Sequence, residues 1–246
     1  MPSGPILNIS CYLFVSLPDA AALRERLQAR ASGLGIKGTV LIAEEGINLF
    51  LAGTADAVRA WVAELRADTR FATLTPKESW SETQPFQRLK VKVKPEIIRM
   101  NHPTIRPDLA PRAPALAPAT LVRWLDQGHD DAGREVVLLD TRNGFEVDHG
   151  AFIGAIDWRL DKFSDFPEAL AAHQGELAGK TVVSYCTGGI RCEKAAMVLQ
   201  EQGLTAWQLD GGILKYFEDT GGKHYHGSCF VFDEREALAP DLSPAE

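Results

Sequence analysis

Alternation of apolar and polar positions divides the chain into two halves with different element patterns. In the first, NISCYLFVSL after Leu7 predicts a strand. Pro18 and Asp19 then open a helix, with Asp19 as its cap and Leu23, Leu27, Ala31 and Leu34 recurring toward one side. Lys37–Ala43 and residues 47–52 predict two further strands, joined by a hairpin turn at Glu44, Glu45 and Gly46. A second helix follows Thr54, with Val58, Trp61, Val62 and Leu65 at the spacing of one buried stripe, and residues 71–79 predict a fourth strand. The order β-α-β-β-α-β is that of a ferredoxin-like split unit.

The next stretch is amphipathic in a different way. Arg88, Lys90, Lys92 and Lys94 alternate with Leu89, Val91 and Val93, so an extended strand puts the four cations on one face. Two readings fit that stripe. It is a solvated edge strand whose lysines discourage aggregation, or a phosphate-contacting track for RNA, with Phe86 and Trp80 close by in sequence as candidate stacking groups. Residues 101–119 contain five prolines and little periodicity, which predicts an extended, proline-stiffened linker at a domain boundary.

Beyond the linker, helices alternate with short apolar strands. Residues 119–127 predict a helix and VVLLD (136–140) a buried strand ending at Asp140. A loop with Phe163, Phe166 and Pro167 and a helix through His173 precede TVVSY (181–185), a second buried strand. CTGGIR (186–191) reads as a tight turn, followed by a helix with Cys192, Ala195, Ala196 and Leu199 on one apolar face and Gly203 at its end. AWQLD is a last strand before Gly211, Gly212 and the helix ILKYFED. The expected fold class is α/β: an N-terminal ferredoxin-like α+β domain followed by a parallel-sheet domain. The expected divisions are residues 1–98, a linker over 99–119, a second domain over 120–222 and an extension over 223–246. In open parallel sheets ligands gather outside the carboxyl ends of the strands, where Asp140 and Cys186 both fall.

Composition narrows the function classes. The chain has 246 residues, 45% hydrophobic and 24% charged, as expected for two soluble globular domains. No window approaches a membrane span, and the apolar run near the N-terminus lacks a preceding basic region and is broken by Ser10 and Ser16, so a cytoplasmic protein is expected. The four cysteines, Cys11, Cys186, Cys192 and Cys229, are scattered and form neither a disulfide framework nor a paired zinc motif. A net charge of −7 argues against generic nucleic-acid binding. Its distribution qualifies that: residues 1–100 hold 13 Lys/Arg and 10 Asp/Glu, the remainder 13 and 23.

Cys186 carries the clearest chemical signal. It lies between a buried strand and a helix N-terminus, where unpaired backbone N–H groups and the helix dipole favour an anion. Arg191 adds a fixed cation, so Cys186 is expected to be a low-pKa nucleophile. Thr187, Gly188, Gly189 and Ile190 offer backbone N–H groups as an anion nest, and the glycines let a ligand approach closely. Arg191 has a second, compatible reading as an anchor to an acidic side chain such as Glu146. Cys192 reads either as a small core residue or as a resolving thiol for an oxidised or persulfidated Cys186. Asp140 and Arg142 suit an ion pair supporting the loop. His224, His226 and Cys229 mix ligand types at short spacing without a fourth ligand, so no metal site is expected. Cys11, inside an apolar strand, reads as core.

Four motifs, LLDTRNGFE (138–146), HGAFIGAI (149–156), YCTGGIR (185–191) and LDGGILKYFE (209–218), resemble those of a rhodanese domain. With AEEGINLFLAGT (43–54), FQRLKVKVKPEII (86–98), the longer CTGGIRCEKA (186–195) and GSCFVFDER (227–235), nearly the whole chain resembles the tRNA uridine hydroxylases. That resemblance implies hydroxylation of the wobble uridine of tRNA to 5-hydroxyuridine, with molecular oxygen as co-substrate and no identified metal or organic cofactor. Some members carry a cysteine-rich C-terminal extension; nothing of that kind follows GSCFVFDER, so zinc is not implied. The partner would be the anticodon stem-loop, its single-stranded base flipped into the cysteine loop. Cys186 and Arg191 would be the catalytic candidates, and Arg88, Lys90, Lys92 and Lys94 would contact phosphates. The chemistry stays open between thiolate attack on C6 of uracil and a peroxidic or sulfenic species on Cys186. The main alternative is a sulfurtransferase carrying a persulfide on Cys186. A phosphatase is less suited, because Cys186 through Arg191 is one residue shorter than the loop of rhodanese-type phosphatases. An RNA-binding adaptor with a decayed second domain is opposed by the intact cysteine.

Overall fold

A computed structural model describes residues 5–245, so the first four residues of the expected N-terminal domain and Glu246 of the expected extension lie outside it. The chain gathers into two compact units. One runs to Ile98 and takes in Arg106–Ala110 and Asp233–Arg235; the other comprises Arg99–Ile105, Pro111–Phe232 and the residues from Glu236 onward.

The first unit contains β1 (Ile6–Phe14), α1 (Ala20–Gly33), β2 (Lys37–Ala43), β3 (Gly46–Gly53), α2 (Ala55–Ala67), β4 (Lys77–Ser81) and β5 (Leu89–Val93). Its sheet has the order β4-β1-β3-β2-β5, antiparallel except where β5 adds in parallel beside β2. This is the ferredoxin-like arrangement with one added edge strand. Thr54 caps α2, its hydroxyl accepting from the Ala57 N–H at 3.4 Å, and the stripe Val58, Trp61, Val62 and Leu65 is buried against the sheet core.

Three local expectations change. Asp19 precedes α1 but makes no side-chain cap; its carboxylate instead takes both ends of the Arg70 guanidinium, at 2.5 and 3.2 Å. A charge-assisted bidentate pair outweighs a single backbone N–H. Residues 71–79 are not a strand throughout. Thr69–Phe71 is a 3-10 turn that sinks Phe71 into the core, Leu74 follows it, and pairing begins only at Lys77. Trp80 is not beside the basic strand either. It lies on β4, at the opposite edge of the sheet from β5, with the Arg59 guanidinium 5.9 Å from its ring centroid.

In the second unit, β6 (Ala115–Leu116), α3 (Pro118–Gln127), β7 (Val136–Asp140), α4 (Gly144–Val147), β8 (Gly150–Phe152) and β9 (Ile156–Asp157) come first. They are followed by α5 (Phe166–His173), β10 (Thr181–Tyr185), α6 (Ile190–Glu201), β11 (Thr205–Leu209), α7 (Gly212–Thr220), β12 (Tyr225–Gly227), β13 (Cys229–Phe230) and β14 (Ala237–Leu238). The main sheet is parallel, in the order β6-β11-β10-β7-β9. Its edge strand β6 comes from the proline-rich stretch, where the Pro114 and Leu116 carbonyls accept from the Gln208 and Asp210 N–H groups at 3.0 and 2.9 Å. Phe152 stands at the centre of the core, edge-on to Tyr185, Tyr216 and Tyr225.

Helix α6 departs from the single apolar stripe. Every residue from Ile190 to Leu199 is buried, Arg191, Glu193 and Lys194 included. Two of the polar members are tolerated because they are paired: Arg191 with Glu146, and Glu193 with the Arg112 guanidinium at 2.5 and 2.6 Å. The helix also begins two residues early, so Ile190 and Arg191 belong to its first turn and not to the preceding loop.

Candidate active site

Strand β10 is buried along its whole length and delivers Cys186 at its carboxyl end. Register pairing of Tyr185 with Asp140 brings the end of β7 alongside. The chain then turns through Thr187 and Gly188 into Gly189, the N-cap of α6, at φ 102°. A left-handed backbone there suits glycine. It aims the Gly189 N–H at the Cys186 sulfur, 3.2 Å away. The Arg191 charge, the first helical turn at Arg191 and Cys192, and the Cys192 side chain all act to lower the pKa of that thiol. Gly189, a member of the expected run 187–190, thus supplies an N–H to the sulfur.

Cys186 is fully buried, and burial disfavours a thiolate. The Cys192 side chain, the Arg191 charge and the first helical turn outweigh burial and hold the Cys186 thiol well below its ordinary pKa. Cys192 shifts the other way. Burial, followed by the interaction with Cys186 and the charge there, pushes the Cys192 thiol up, and that thiol donates to the Gly189 carbonyl at 3.0 Å. The two thiols are thus shifted in opposite directions.

Arg191 is positioned by Glu146, at 2.5 Å (Nη1 to Oε2) and 2.7 Å (Nη2 to Oε1). Glu146 is fully buried in α4, and its Oε2 also accepts the Asn143 N–H at 3.0 Å, completing a capping box. Both expected roles of Arg191 coexist: it anchors the loop and supplies the cation. Beneath α4, the buried Asp140–Arg142 pair closes at 2.6 Å, and Arg142 Nη2 reaches the Gly150 carbonyl at 2.7 Å.

The sequence did not single out Gly212 for the site. Carbonyls of Cys186 and Thr187 accept from the N–H groups of Ile213 and Leu214, at 2.9 and 3.1 Å, so α7 holds the cysteine loop from outside. At Gly212 φ is 68°, and a Cβ there would lie 2.4 Å from the Cys186 carbonyl oxygen and 2.7 Å from the Gly189 nitrogen. The available signal was the glycine pair in LDGG at a strand-to-helix junction.

Other candidates do not converge on a site. His224 pairs with Asp126 at 2.8 Å, His226 is exposed on β12, and Cys229 is buried with its thiol pushed up to about 12 by burial. Among the described residues no group of three or more His, Cys, Asp or Glu is arranged to hold a metal ion. Burial likewise pushes Cys11 up to about 12 in the first unit.

Residues 6–97 match the UPF0176 acylphosphatase like domain, and residues 119–219 the Rhodanese-like domain. A tRNA uridine(34) hydroxylase of Delftia acidovorans is 67% identical over 239 residues, covering 97% of this chain and 90% of that one. Those of Variovorax paradoxus and Bordetella avium are 66% and 62% identical, over 97% of this chain and 90% and 99% of theirs. The chain belongs to the tRNA uridine(34) hydroxylase family. In this member of the family the cations Arg88, Lys90, Lys92 and Lys94 are all exposed on and around β5, in the first unit, while the cysteine loop belongs to the second. Val91 is buried beneath them, but Val93 is 44% exposed, so the apolar face of β5 is only partly covered. No helix among the described residues is long and apolar enough to cross a membrane.

Proposed function

We infer that the protein hydroxylates uridine 34, the wobble base of tRNA, to 5-hydroxyuridine, with Cys186 as nucleophile. The names of its close relatives support the reaction, and one observation supports the residue: the buried Cys186 sulfur accepts the Gly189 N–H at 3.2 Å at the N-terminus of α6, whose first turn carries the Arg191–Glu146 pair. Addition of the thiolate to C6 of uracil forms a C–S bond and moves the C5–C6 electron pair to C5. Molecular oxygen takes that pair, and two electrons from an external thiol reductant leave a hydroxyl on C5 and release water. Loss of the C5 proton expels the thiolate and restores the double bond. No metal or organic cofactor is required by this sequence of steps. Arg191 acts through Cys186 as a positioning residue. The sulfur is fully enclosed, so the base must displace part of its cover. The anticodon stem-loop presents the base unpaired, the β5 cations contact phosphates, and the reaction belongs in the cytoplasm.

Nucleoside mass spectrometry of tRNA tests this reading in cells lacking the protein, complemented with wild type or Cys186→Ala. Wild type should restore 5-hydroxyuridine-derived nucleosides and the variant should not. Restoration by Cys186→Ala would remove the cysteine from the chemistry, and loss of wobble thiolation in place of hydroxylation would favour persulfide transfer by Cys186.

A further inference from the structure

The motif GSCFVFDER is not used by the cysteine chemistry, yet it places aromatic rings beside the cysteine loop. Phe230 on β13 is the hub. Phe145 and Phe232 flank it at centroid distances of 5.2 and 5.1 Å, each at 87°, and the His149 ring lies 5.3 Å away. Both flanking rings are 49% exposed. Each meets Phe230 in an edge-to-face contact. Two links tie the cluster to the site. Thr187, next to Cys186, donates to the Phe230 carbonyl at 3.4 Å, and Phe145 immediately precedes Glu146, which holds Arg191.

We propose that Phe145, Phe230 and Phe232 form a stacking platform for the unpaired tRNA bases that flank the uridine presented to Cys186. This rests on the tRNA reading above. A base reaches a buried sulfur only by leaving its stack, which exposes the faces of its neighbours. Half-open phenyl rings continuous with the cysteine loop re-cover those faces, and they do so for any base, since every base has a π-face. Aliphatic side chains of the same size would fill space without offering that surface.

The test uses the full chain and an anticodon stem-loop carrying 2-aminopurine next to position 34. Phe145→Leu and Phe232→Leu should each weaken stem-loop binding about tenfold and reduce the 2-aminopurine quenching that accompanies it. Phe145→Trp and Phe232→Tyr should bind and quench as wild type does, and binding to a blunt RNA duplex should be the same for all. Leucine variants that bind and quench like an active wild type would overturn the platform and leave the hydroxylase reading standing. A wild-type chain that neither binds the stem-loop nor hydroxylates it would overturn both.

Discussion

Arg191 and Glu146, 45 residues apart in sequence, meet as a buried bidentate ion pair. Removing one partner strands the other charge in a site of low polarity, which costs about 3–5 kcal/mol for pairs of this kind. Glu146→Ala should therefore lower the denaturant midpoint of the second unit's transition and abolish hydroxylation. An unchanged midpoint would show that Arg191 finds another acceptor.

The Arg191 charge also sets the titration of Cys186. A thiol held below its ordinary pKa gives a thiolate that persists as pH falls below that ordinary value, and the stabilisation it lends is complete above the ordinary value and lost as pH falls through the depressed one. Arg191→Gln removes a cation and should move the pH profile of alkylation by a small iodoacetamide upward. A profile that stays in place would assign the shift to the backbone nest alone.

Cys192 helps to lower the Cys186 pKa while its own thiol donates to the Gly189 carbonyl, so the chemistry of the group at 192 can be varied. Cys192→Ser keeps a hydroxyl donor and should retain both the alkylation profile and hydroxylation. Cys192→Ala should shift the profile to higher pH and slow turnover. Loss of turnover in the serine variant with an unmoved profile would identify Cys192 as a redox partner.

Gly212 is the closest approach of α7 to the cysteine loop. Gly212→Ala meets backbone on two sides and carries the strain of a left-handed conformation, of order 1–3 kcal/mol before any clash. Both the folded yield and Cys186 reactivity should fall, readable by calorimetry and by alkylation under native conditions.

The basic strand makes a separate electrostatic prediction. Lys90→Glu with Lys92→Glu should weaken tRNA binding and flatten the dependence of log K on log salt by about one unit or more, since each phosphate contact contributes roughly 0.7–0.9 to the slope. Identical salt slopes would return β5 to the role of a charged edge that resists aggregation.

Periodicity by itself determined most of the fold, because helix and strand patterns are local: the stripe on α2, the buried strands β7 and β10 and the split βαβ order all follow from residue spacing. Spacing also marked Cys186, since a cysteine between a buried strand and a glycine-led helix is an anion site wherever that helix lies. Tertiary structure decided what spacing cannot carry. Asp19 abandons its cap for Arg70 because a guanidinium far along the chain arrives next to it, and Trp80 moves away from the lysines because strand order separates neighbours in sequence. The polar residues of α6 are buried because partners such as Arg112 and Glu146 come from other segments. The sulfur's surroundings depend on the same kind of encounter: Gly212 backs the loop and Phe230 receives Thr187 only when α7 and β13 are folded against it.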